Sequence, residues 1–261
     1  MHLLGIDFAV ALAGLLVGFT VGLTGMGGGA LMTPIMVLVF GVPPLTAVSS
    51  DLLVSLVMKP VGGAVHLRRG TVRTDLVRWL VVGSVPAAFA GALLLRAVGP
   101  AHVEPLLKRA LGLALVATAG SMVLRARITS GRAARFSQHT VLVRPLPTVA
   151  IGLLGGLIVG LTSVGSGSLM IVLLLVLYPG LSSAELVGTD LVQAIPLVAS
   201  AALGHVLFGD IRLGLTLSLL VGALPGVYVG ARLSARAPDR VVRPTLLLVL
   251  LTSGLKLLQV I

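Results

Sequence analysis

The chain has 261 residues, 57% of them hydrophobic and 10% charged, and its mean hydropathy of +1.13 excludes an ordinary soluble globular domain in favour of a polytopic membrane protein. A formal net charge of +11 would suit nucleic acid, but the basic residues lie in short tracts between apolar runs, the pattern of topogenic charge on one membrane face. With no cysteine and 3% aromatic residues, disulfides, thiolate metal sites and a stacking surface for bases are excluded, so neither a metal nor any other cofactor is expected.

In chain order, the first apolar run covers about residues 5 to 23. No Lys or Arg precedes it and no clear small-residue cleavage site follows, so it reads as part of the mature protein. It leads into Gly22-Leu23-Thr24-Gly25-Met26-Gly27-Gly28-Gly29-Ala30-Leu31-Met32. Further apolar runs follow at about 30 to 41, 46 to 66, 75 to 97 and 103 to 124, and then a polar, Arg-rich stretch from Arg125 to Arg144. The second set covers about 146 to 161, 168 to 178, 184 to 206, 212 to 233 and 241 to 261. At its first junction stands Gly160-Leu161-Thr162-Ser163-Val164-Gly165-Ser166-Gly167-Ser168-Leu169-Met170, which repeats the earlier stretch at an offset of 138 (22 to 160).

The two sets read as a duplicated unit. From Tyr178 onward the offset is 139, and Asp51 then matches Asp190, His66 matches His205, Gly70 matches Gly209, Arg73 matches Arg212, Pro86 matches Pro225 and Gly91 matches Gly230. Arginines cluster at 68 to 78, in the linker and at 232 to 243. Placing these three regions in the cytoplasm leaves both termini outside. The expected fold is therefore all-α, with two inverted-topology repeats, each a Gly-broken, re-entrant-like helix pair plus three transmembrane helices. Residues 1–124 form the first repeat, 125–145 a basic cytoplasmic linker and 146–261 the second repeat. The runs at 30 to 41 and 168 to 178 are too short to cross about 30 Å of hydrocarbon, which favours a hairpin tipped at the glycines, although a tilted full helix followed by a half-helix is an alternative.

Glycine clusters weaken helices and are tolerated at membrane depth where unwound backbone lines a cavity or is buried in protein. Helix N-termini that begin after Gly27, Gly28 and Gly29 and after Gly165, Ser166 and Gly167 present N–H groups and a positive dipole end to an anion. Ser163, Ser166, Thr24 and Thr162 add hydroxyls; the alternative is glycine serving close helix packing alone. In the next run Asp51, Ser55 and Lys59 recur at i, i+4 and i+8, a polar stripe continued by His66. Lys59 has Val198 at its matching position, so it supplies one asymmetric cation for one anion; the alternative is an ion pair with Asp51 or snorkelling. Asp51 follows Ser49-Ser50 and Asp190 follows Gly188-Thr189, a placement that favours N-capping or first-turn roles, with proton or sodium coupling as the sharper reading. His66 and His205 read as interfacial side chains that could titrate. Gln193 is a candidate substrate hydrogen-bonder, and Ser50 and Thr189 join it. Pro60 and Pro196 free carbonyls nearby.

The Gly-rich break, a short apolar segment, then Ala-Val-Ser-Ser-Asp (47–51) or Leu-Val-Gly-Thr-Asp (186–190), a His before Gly-x-Val/Ile-Arg, and a Pro in the next helix resemble the TauE/SafE family of sulfite and organosulfonate transporters. The resemblance spans about residues 10 to 258. It implies a carrier in the cytoplasmic membrane of a bacterium or archaeon for small sulfur-containing anions such as sulfite or sulfoacetate, often an exporter. Ser163, Ser166 and Ser168 stand where the first repeat has Gly25, Gly28 and Ala30, a departure from identical contacts in the two halves.

A secondary transporter working by alternating access is the leading expectation, with H+ or Na+ as coupling ion and no enzyme activity. Carriers of carboxylates or other oxyanions, and a passive anion channel, are the alternatives. An intramembrane hydrolase using Ser166 and His205 lacks a third orienting group. The glycines form no P-loop, because the Gly-Lys-Ser/Thr ending is missing.

Overall fold

The computed structural model describes residues 2–3, 6–24, 28–130, 142–233 and 239–259. After a two-residue antiparallel ladder, β1 (His2–Leu3) with β2 (Ile6–Asp7), every element among the described residues is a helix. The first half comprises α1 (Phe8–Thr24), α2 (Gly29–Leu38), α3 (Pro44–Arg68), α4 (Thr74–Val98) and α5 (Pro100–Ser130). The second comprises α6 (Pro145–Thr162), α7 (Ser168–Leu177), α8 (Ser183–Phe208), α9 (Leu213–Leu233) and α10 (Asp239–Gln259). Helices α3, α4, α5, α6, α8 and α9 contain apolar stretches long enough to cross a membrane.

Local chemistry sets the boundaries. Proline occupies the first turn of α3 and α6, where its missing N–H costs nothing. Helix α8 starts with a capping box: Ser182 Oγ accepts from Glu185 N–H, and the Glu185 carboxylate accepts from Ser182 N–H at 2.9 Å. Gly99, at φ +80°, makes the turn between α4 and α5. Helix α5 runs on to Ser130, so Arg125 and Arg127 lie on its last turns rather than in a loop; no breaker stands before Gly131, and Arg-Ala-Arg favours helix. Residues 131–141 of the expected linker lie outside the described residues.

Each half seats its first helix in the other half. Helix α1 packs along α9, and α6 packs along α4. Both contacts are glycine-lined and parallel: Gly222, Gly226 and Gly230 meet the backbone of Ala11, Leu15 and Phe19 in turn, while Gly152, Gly156 and Gly160 meet that of Leu80, Ser84 and Ala88. Helices α3 and α8 cross at the centre in opposite directions. Thr46, at the start of α3, hydrogen-bonds Asp210 just beyond α8, and Thr189, near the start of α8, accepts from Arg73 N–H beyond α3 at 3.0 Å. In that turn Asp75 pairs with Arg73 at 2.7 Å, which holds the guanidinium above its ordinary range. The core gathers Leu52, Val54 and Met58 of α3 with Leu197, Val198 and Ala201 of α8, whereas Val82, Leu113, Leu203 and Leu217 are exposed on the outer faces. That outward apolar surface suits a lipid solvent.

The helix pairs at the two glycine stretches are hairpins. Tyr178, at the end of α7, donates to Arg144 O at 3.2 Å and accepts from Arg144 N–H at 2.9 Å, which ties it to the start of α6. Asp7 N–H, before α1, donates to Ser218 Oγ of α9 at 3.0 Å. The α1–α2 pair thus begins and ends at the Asp210 end of the molecule, and α6–α7 at the Arg73 end.

Candidate functional site

Helices α2 and α7 have ten residues each, or about 15 Å, half the hydrocarbon thickness. They run in from opposite ends, and the N-terminus of α2 abuts the break that precedes α7. A Cβ on Gly29 would strike the Ser163 carbonyl group and would lie 2.9 Å from Asp51 Oδ2. Backbone geometry makes the approach possible: Ser163 ends α6 in the left-handed region at φ 58°, followed by Gly165 at φ 116° and Gly167 at φ 111°. A non-glycine residue in that region is strained, and such strain concentrates at working sites. At the position matching Ser163 the first repeat has Gly25; Gly25 and the expected ligand residue Gly27 lie outside the described residues.

Around this meeting point the polar side chains are buried. Lys59 donates from Nζ to Ser166 Oγ at 2.6 Å, which joins α3 to the second glycine break. Both Asp190 and Asp51 lie within its field. Asp190 Oδ1 accepts from Gln193 Nε2 at 3.3 Å, and the Gly167 amide at the start of α7 lies nearby. Gln193 Oε1 in turn accepts from Ser84 of α4 at 3.3 Å. Asp51 Oδ2 accepts from Thr33 of α2 at 2.9 Å, whereas among the described residues Asp51 Oδ1 and the nearby Ser163 Oγ have no well-formed hydrogen bond. Gly28 leaves room: a Cβ there would lie 3.8 Å from Ser55 Oγ and 3.9 Å from both Asp51 Oδ1 and Met58 Cε.

The structure brings Lys59, Gly28, Gly29, Ser163, Ser166, Gly167, Asp51, Asp190 and Gln193 together. Ser50 is buried with its hydroxyl unbonded, and Thr189 is spent on the Arg73 amide. The N-capping reading of Asp51 and Asp190 is corrected, because α3 starts at Pro44 and α8 at Ser183, which puts both carboxylates two turns inside their helices. Asp51 lies against Gly28 and Gly29 at the start of α2, so the protein's own carboxylates share the surroundings of the helix starts with any incoming anion. His205 is also not interfacial. At 1% exposure it contacts Ser49 Oγ through Nδ1 at 2.9 Å and Gly160 O through Nε2 at 2.8 Å. Its mate His66 is half-buried and contacts Thr71 Oγ1 at 2.9 Å. Ser166 and His205 therefore have different partners, and no nucleophile–base pair joins them. Thr33 and Ser84 carry no signal in the sequence, and Ser49 reads there only as part of a helix start. Thr33 has Ile171 and Ser84 has Ala223 at the matching positions, so the repeat gave no signal for either.

Among the described residues no three His, Asp or Glu side chains cluster as a metal site. The arrangement is a buried, oxygen-rich cluster with one ammonium and two carboxylates beside the helix breaks, formed by both halves.

Comparison with known proteins gives a consistent set. The family described as Sulfite exporter TauE/SafE matches residues 10–257. The "Probable membrane transporter protein YjnA" of Bacillus subtilis (strain 168) is 38% identical over 253 residues, 96% of this chain and 99% of that protein. The "Probable membrane transporter protein YdhB" of the same organism is 28% identical, covering 93% of this chain and 96% of its own. A "Probable membrane transporter protein" of Xylella fastidiosa (strain Temecula1 / ATCC 700964) is 28% identical over 86% of this chain and 83% of its own. No solved structure matches.

Proposed function

Because this chain belongs to the TauE/SafE family of membrane transporters, we propose that it carries a small sulfur-containing anion, sulfite or an organosulfonate such as sulfoacetate, across the cytoplasmic membrane, in the direction of export. One observation carries the choice of an anion: the buried ammonium of Lys59 stands on Ser166 in the glycine break that the start of α2 abuts. A sulfonate or sulfite presents three oxygens and negative charge to an ammonium, to hydroxyls and to main-chain N–H groups at the two helix starts. Lys59, Ser166, Gly28, Gly29 and Gly167 are the proposed substrate contacts, with Gln193 as a further hydrogen-bonder. Asp51 and Asp190 are the proposed coupling carboxylates.

The opposed directions of α3 and α8, and the exchange of α1 and α6 between halves, support an inverted pair of repeats that rock about the cluster. In this arrangement residues 125–145 face the cytoplasm and both ends face outside. The test is flux in proteoliposomes of sulfite, sulfoacetate, a longer sulfonate and a matched carboxylate, with wild type and Lys59→Ala side by side. Saturable sulfite or sulfonate flux that Lys59→Ala abolishes is the expected result. Flux of the carboxylate alone would move the substrate class, and flux that never saturates would make the protein a channel.

A further inference from the structure

The two carboxylates of the cluster differ in how they are satisfied. Asp190 Oδ1 accepts from Gln193 Nε2 at 3.3 Å, and its other oxygen is not among the buried atoms left without a partner. Asp51 has one hydroxyl donor, Thr33, on Oδ2, while Oδ1, fully buried, has no well-formed hydrogen bond among the described residues. A buried carboxylate oxygen with no partner is costly and calls for a bound species. Beside it stands Ser163 Oγ, 4% exposed on its residue; the hydroxyl lies close to the Asp51 carboxylate, but neither it nor Oδ1 has a well-formed hydrogen bond among the described residues.

The other groups at this spot are oxygens as well. Asp51 Oδ2 and the Ser163 carbonyl oxygen flank the same point at Gly29, and Ser55 Oγ and Asp51 Oδ1 both lie within 3.9 Å of the Cβ position of Gly28. Ser163 is moreover the C-cap of α6, so its carbonyl belongs to the negative end of that helix. Carboxylate, hydroxyl and carbonyl oxygens at a helix C-terminus form the donor set of a hard cation, whereas carbonyls contribute little to holding a proton.

We propose that Asp51 Oδ1, Ser163 Oγ, the Ser163 carbonyl and Ser55 Oγ form a sodium site in the first repeat, with no equivalent in the second. The second half lacks it because Gln193 occupies the position matching Val54 and supplies Asp190 with an N–H donor. As a coupling site the assignment rests on the carrier reading above; as a binding site it does not.

The test is thermal unfolding of the full-length protein in detergent, with sodium chloride titrated against choline chloride at fixed pH and ionic strength. Wild type is expected to show a saturable rise in Tm with sodium. Ser163→Gly removes the hydroxyl and suits the left-handed backbone, so it spares the fold; it should raise the half-saturating sodium concentration about tenfold. Asp51→Asn should remove the response. A wild-type Tm equal in sodium and choline overturns the site, as does an unchanged sodium response in Ser163→Gly. A Tm that ignores sodium but rises as pH falls would give Asp51 a proton and overturn the proposal as well. Sulfite flux measured in parallel separates the two readings. Sodium stabilisation without anion flux sinks the carrier assignment alone, and normal flux in sodium-free buffer without stabilisation sinks the sodium site alone.

Discussion

Lys59 and Asp190 come from different halves and feel each other's charge without a direct ion pair among the described residues. Removing either leaves the other as a buried charge with poorer compensation. We expect Lys59→Met and Asp190→Asn each to lower Tm, and the double variant to recover part of the loss, with a coupling energy of about 1 kcal/mol or more in a double-mutant cycle. Transport stays lost in the double variant, because the ammonium that meets the anion is gone. The neighbouring glycines separate space from contact. Gly29→Ala drives a methyl group into the Ser163 carbonyl and should greatly reduce the yield of folded protein, whereas Gly28→Ala meets ordinary contacts of 3.8 Å and more and should keep a near-native Tm while weakening sodium stabilisation. Expression level and Tm of the two variants check this.

At the scale of elements, the helix-on-helix seats are set by glycine. The three atoms nearest a Cβ on Gly156 are backbone atoms of Ser84, while nothing lies within 4 Å of one on Gly120. Gly156→Ala should therefore destabilise by about 1–3 kcal/mol through overpacking, and Gly120→Ala should be neutral or stabilise by about 0.5 kcal/mol through helix propensity; thermal unfolding of the two variants tests the contrast. The elements were largely legible in the sequence, because apolar runs between Gly, Pro and Arg punctuation fall close to the observed helices. The roles of Asp51 and Asp190 were not. Ser49-Ser50 and Gly188-Thr189 look like helix starts, yet Pro44 and the Ser182-x-x-Glu185 box had already begun α3 and α8, a signal open to reading. The burial of His205 had no such cue, since its partners Ser49 and Gly160 lie 156 and 45 residues away and come together through tertiary packing alone. The helix ends at the glycines and the burial of Lys59 fall where the sequence drew attention to a matched glycine stretch and to a lysine without a counterpart.

For the whole molecule, helix directions put Arg69 and Leu142 at one end and Gly99 and Asp210 at the other. The chain has no cysteine, so single cysteines at these positions can be labelled without background. In right-side-out vesicles, a membrane-impermeant maleimide should react at 99 and 210, and at 69 and 142 only after permeabilisation. Equal labelling at all four would contradict the topology.

The reciprocal seating of α1 and α6 also sets an order of biogenesis. Helix α6 emerges from the ribosome after its seat α4 has been made, but α1 is made first and its seat α9 lies about 200 residues downstream. At ~5–20 residues per second α1 spends roughly 10–40 s in the translocon and bilayer with its glycine face uncovered. The N-terminal half is thus the part of the nascent chain most exposed to membrane proteases and insertion chaperones, and the fold closes only when the last quarter of the protein is translated.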